Sequence, residues 1–103
     1  MSNYKIKNYT KQKAKKLGVT VKPSTNAKKK LDVFKKIKDK KTNKFFLKKI
    51  ESVGAVGYKD YPTFLAEDGK EKADKRRAAY KKRHAKDRKV VGSAGYYADQ
   101  LLW

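Results

Sequence analysis

Apolar positions follow three different patterns along the chain. Between residues 31 and 53 they alternate. "LDVFKKI" places Leu31, Val33 and Ile37 on one side of an extended strand, and "KFFLKKIESV" returns with Phe45 and Leu47 on one side and Phe46 and Ile50 on the other. The intervening "DKKTN" supplies the Asp and Asn of a turn. This predicts a β-hairpin with lysines at its exposed positions, which discourages edge-to-edge association. An isolated hairpin is marginal in water, so another element must cover its apolar side.

From 63 to about 88 the period becomes helical, with Ala73, Arg77, Tyr80 and His84 on one face. Thr63 is the predicted N-cap after Pro62, and Gly69 is expected to weaken or kink the helix. Glu71 and Lys75 form an i, i+4 pair. Gly92 ends this element and Ser93 caps a last short helix through "AGYYADQLLW", where Tyr97 and Leu101 share a face, as do Tyr96 and Gln100. "GAVGYKDYP" joins hairpin to helix as a tight corner, with Gly54 and Gly57 supplying backbone freedom and Tyr58 and Tyr61 flanking Lys59 and Asp60.

In the third pattern, over residues 1–30, charge replaces periodicity: the segment holds ten lysines and no acid. "YTKQKAKKLG" predicts about two turns of helix ended by Gly18, and "VTVKPSTNAKKK" reads as extended, broken by Pro23, Ser24 and Asn26. The expectation is a basic arm, 1–30, that orders on an anionic partner, and an α+β domain, 31–103. That domain is a two- or three-stranded antiparallel sheet covered by a long basic helix and a short C-terminal one.

Composition sharpens this picture. A chain of 103 residues makes at most one domain, and its core is small, since about 60% of the unfolded surface is buried at such lengths. Apolar residues are 38%, charged residues 39%, and the net charge is +20. A polyanionic partner is implied: nucleic acid, an acidic protein face or anionic lipid. The side chains expected to meet it are Lys11, Lys13, Lys15, Lys16, Lys28, Lys29, Lys30, Lys75, Arg76, Arg77, Lys81, Lys82, Arg83 and Arg88. Against this background the last eight residues are anomalous, with two tyrosines, two leucines and the only tryptophan. They complete the protein's own core or dock on another protein. The same two alternatives stand for Tyr58, Tyr61, Tyr96, Tyr97, Leu101, Leu102 and Trp103.

Candidate chemistry is thin. With no cysteine there is no disulfide and no thiolate metal site. His84 is the only histidine, and no nucleophile–base arrangement assembles around it. "GAVG" lacks the further glycines and the strand–helix context of a phosphate loop. The reading is a non-enzymatic protein without cofactor, metal or small-molecule substrate. No apolar run approaches a membrane span and no secretory leader is visible, so a soluble protein is expected.

"AVGYKDY", "YKKRHAKD" and "GYYADQLLW", within roughly residues 30 to 103, resemble a group of small basic proteins encoded by large DNA viruses and tailed phages. That group shares a hairpin, a Gly-Ala-x-Gly-Tyr-x-Asp-Tyr corner, an Arg-rich helix with Tyr-x-x-Arg-His, and a Leu-Leu-Trp end. The "DKKTN" turn is longer than the Asp-Gly turn expected of it. The resemblance implies a viral protein and names no catalytic residues. Two readings follow. One is a minor capsid or capsid-associated protein of the virion, meeting coat proteins and packaged genome, made in the host cell interior during assembly. The other is a sequence-nonspecific, genome-condensing nucleic-acid-binding protein.

Overall fold

A computed structural model describes residues 3–103. Strands β1 (Thr20–Pro23), β2 (Lys29–Lys38) and β3 (Phe45–Ala55) form one antiparallel sheet in the order β1-β2-β3. Helices α1 (Asn8–Leu17), α2 (Tyr61–Asp68), α3 (Lys70–Arg83) and α4 (Ala94–Leu102) and a 3₁₀ turn (Asp87–Lys89) complete an α+β fold.

The predicted hairpin is β2–β3. Its inner half pairs Leu31 with Val53 and Val33 with Glu51. The register then shifts, so that Phe34 faces Lys49 and Ile50 is the extra residue of a bulge. Leu31, Val33 and Val53 are buried, whereas Ile37, expected on the same covered side, is only half-buried. In the outer half, from Phe34 to Lys49, no residue is buried. β1 pairs with the inner half through Val21–Val33 and Pro23–Leu31.

The N-terminal segment carries α1 and β1. α1 ends, as predicted, at Gly18, whose left-handed φ of 72° closes the helix onto the Ala14 and Lys15 carbonyls. Thr10 and Ala14 are buried. Thr10 Oγ1 donates to the Leu101 carbonyl at 2.9 Å and Tyr9 Oη to the Trp103 carbonyl at 2.8 Å. Two main-chain oxygens at the C-terminal end of α4, those of Leu101 and Trp103, are thus satisfied by α1. The lysine count concealed the Thr10–Ala14 stripe that makes this possible.

Two helix boundaries also differ from expectation. Asp60, not Thr63, caps α2: its Oδ1 accepts from Thr63 N at 3.0 Å and Thr63 Oγ1 at 2.6 Å, with Pro62 in the first turn, where a missing N–H costs nothing. Gly69, at φ 88° and ψ 166°, separates two helices instead of kinking one, and α3 ends at Arg83.

The apolar C-terminal stretch is core. Ser93 caps α4, accepting from Tyr96 N at 3.2 Å, and Tyr97, Leu101, Leu102 and Trp103 are buried with Leu31, Val33, Val53, Tyr61, Ala73 and Tyr80. Trp103 stacks on Tyr80 with centroids 4.2 Å apart and planes within 7°. Gly54, at φ 81°, admits this packing: a Cβ there would lie 2.7 Å from Leu102 Cδ1.

Candidate functional site

Between the inner hairpin, α3 and α4 lies a cleft of about 740 Å³. One wall is Lys29, Lys30 and Ser52–Ala55; the other is the α3 face carrying Arg76, Ala79, Tyr80, Arg83 and His84. Phe64, Leu102 and Trp103 also line it. Ala79, Ala94, Gly95 and Ala98 are small residues and leave it open. Lys29 is half-buried, and Arg76 and Arg83 are exposed. Among the described residues none of these three forms an ion pair. Arg76 lies over the Phe64 ring at 5.5 Å.

Tyr58 lines this cleft and a second depression of about 400 Å³, where Lys5, Lys7 and Lys59 are also found. Its side chain is 76% exposed. The two tyrosines of the predicted corner therefore part company. Tyr61 is buried, with its Oη donating to Asp74 at 2.8 Å and the Arg77 guanidinium 4.0 Å over its ring. Tyr58 presents a free aromatic face among cations.

The structure sorts the predicted cations into two sets. Some are internal ties. Lys30 is buried and meets Asp60 at 3.0 Å, beside the Tyr4 hydroxyl, which donates to the same carboxylate at 2.6 Å. Burial opposes ionisation of Asp60, yet the hydrogen bonds from Thr63 and Tyr4 and the Lys30 charge hold its carboxyl below the usual range. Lys81 meets buried Asp99 at 2.8 Å, and Arg77 meets Asp74 at 3.4 Å. Lys13 lies over the Tyr9 ring at 5.1 Å; its burial, with the nearby Lys81 charge, lowers its pKa. Arg88 is half-buried. The others face solvent: Lys11, Lys15 and Lys16 on α1, Lys28 before β2, and Lys75, Arg76, Lys82 and Arg83 on α3. Lys75 stands 3.9 Å from Glu71, a separation that leaves the cation open.

Of the aromatic and apolar candidates, Tyr61, Tyr97, Leu101, Leu102 and Trp103 belong to the core, Tyr96 is half-buried edge-on against Tyr97, and Tyr58 alone is exposed. His84 stacks on Tyr80 at 4.4 Å and places Nδ1 3.4 Å from Asp87. Sequence reasoning missed the exposed aromatic tip of the hairpin and the buried carboxylates, whose neighbours come from distant turns. Among the described residues, no group of three or more His, Cys, Asp or Glu side chains is placed to hold a metal ion, and no helix is long and apolar enough to cross a membrane.

Comparisons with protein-family models, with curated proteins and with solved structures found no match.

Proposed function

We propose that this protein is a non-enzymatic nucleic-acid-binding protein that neutralises phosphate backbones without reading sequence. The observation carrying the proposal is the cleft: Lys29, Arg76 and Arg83, without ion-pair partners among the described residues, beside one exposed aromatic face, Tyr58. A cationic groove with an aromatic platform suits a charged backbone bearing flat bases. Phosphate contacts position a protein but specify no sequence.

The test is the triple variant K29A/R76A/R83A. All three side chains have solvent access, so the variant should melt close to the wild type. Its affinity for a mixed-sequence duplex should fall about tenfold or more at low salt. The slope of log K against log salt should become shallower by about 2.7, the share of three phosphates. A triple variant with wild-type affinity and slope would show that the cleft is not the binding site.

The virion supplies the setting for this chemistry under the resemblance to viral proteins. One observation favours it: exposed cations also lie on α1 and on the hairpin, away from the cleft, so one molecule can touch genome and acidic coat surface together. Mass spectrometry of purified particles tests that setting, and absence of the chain from them ends it.

A further inference from the structure

The outer hairpin has no structural task in the core. Beyond the bulge at Val33/Phe34, no residue of β2 or β3 is fully buried. Yet its turn is well formed: Asp39 N donates to the Lys44 carbonyl at 2.8 Å, Asn43 N to the Asp39 carbonyl at 2.9 Å, and Asn43 takes the left-handed φ of 57°. It is a projection whose tip carries Phe45, Phe46 and Leu47, exposed by 57%, 50% and 42%.

The hairpin tip pairs aromatic rings with lysines on both of its faces. Phe45 pairs across the strands with Lys38 and Phe46 with Ile37, so the two rings point to opposite faces. Phe45 shares its face with Lys36, Lys38 and Lys49, and the Lys36 ammonium lies 4.6 Å from its ring centroid. Phe46 shares the other face with Lys35 and Lys48. Residues 35–49 hold eight lysines and one acid, Asp39. An apolar partner alone does not suit this surface, because protein interface cores are depleted of lysine. A second copy, itself at +20, is repelled.

We infer that the hairpin tip binds single-stranded nucleic acid, stacking bases on Phe45 and Phe46 while the flanking lysines neutralise the adjoining phosphates. This rests on the nucleic-acid-binding reading and names its substrate class. The strand must be single, because flat ring faces need base faces, which a duplex keeps stacked inside.

The experiment compares fluorescein-labelled dT15 with the dT15·dA15 duplex, using the full chain and the variants F45A/F46A and F45L/F46L. Both rings are exposed, so melting should not change. Removing two stacking rings should cost about thirtyfold or more in affinity for dT15 and under about threefold for the duplex, at an unchanged salt slope. F45L/F46L, which keeps apolar bulk but no ring, should lose as much as F45A/F46A. Wild-type affinity in either variant, or equal loss on both probes, overturns the inference while leaving the cleft intact. So does a change of oligomeric state with F45A/F46A, which would make the tip a contact between copies. Failure of the wild-type protein to bind either probe overturns the nucleic-acid reading itself.

Discussion

At the residue scale, the fold spends three of its ten acids inside, and each has a lysine. Asp99 meets Lys81, Asp60 meets Lys30, and Asp32 stands 3.5 Å from Lys49. Asp32 is the most densely satisfied: its carboxylate accepts from Ser24 Oγ and Ser52 Oγ at 2.6 Å each and from Thr25 N at 3.1 Å. Burial favours its neutral form, but those hydrogen bonds and the Lys49 charge win and pull its pKa down to about 2. The folded state therefore binds its proton less readily than the unfolded chain. The stabilisation is whole above the unfolded value near 4 and disappears as pH falls through about 2; it amounts to about 2 kcal/mol. A series of thermal melts from pH 5 to pH 2 should show the loss, and Asp32→Asn should melt lower at pH 7 with a flatter acid limb. An equally steep limb in that variant would remove Asp32 as its cause. None of this was legible in "LDVF", where alternation places Asp32 opposite Leu31 and Val33 as a solvated residue. The turn at Ser24–Thr25 buries it, and that contact is not local.

At the element scale, legibility followed locality. The hairpin, the Gly18 stop of α1 and the Ser93 cap of α4 each depend on a few neighbouring residues, and each formed where period and cap chemistry placed it. The folding of the N-terminal segment does not: α1 is fixed by α4, at the other end of the chain, through Tyr9 and Thr10. Within 1–30 the lysines spoke louder than one threonine and one alanine. The candidate cleft was half legible. Arg76, Arg83 and Tyr58 stood out by charge and type, but their approach to Lys29 is made by the fold. The same dependence makes α4 decisive. Ending the chain after Gln100 removes Leu101, Leu102 and Trp103 from the core together with both acceptors of α1. Losses of several kcal/mol per large buried side chain compare with a total stability of about 5–15 kcal/mol. The shortened chain should lose cooperative melting by circular dichroism. A cooperative transition within a few degrees of the full chain would show that the stretch is an accessory.

At the scale of the whole molecule, shape and charge point the same way. The extents are 50 × 29 × 22 Å and the radius of gyration is 14.5 Å, above the roughly 13 Å of a hundred-residue globule. The projecting hairpin accounts for the elongation. The formal charge of +20 works against compaction, and a bound polyanion relieves it. With Asp32, Asp60 and Asp99 inside, fewer acids remain to temper the surface lysines and arginines. The most direct measurement is the salt dependence of binding for the wild-type protein, by anisotropy, on two duplexes of unrelated sequence between 50 and 200 mM salt. If the protein neutralises about six phosphates, affinity should fall about a thousandfold over that range, and equally for both sequences. Affinity that is indifferent to salt, or absent at 50 mM, would contradict a role in binding the phosphate backbone.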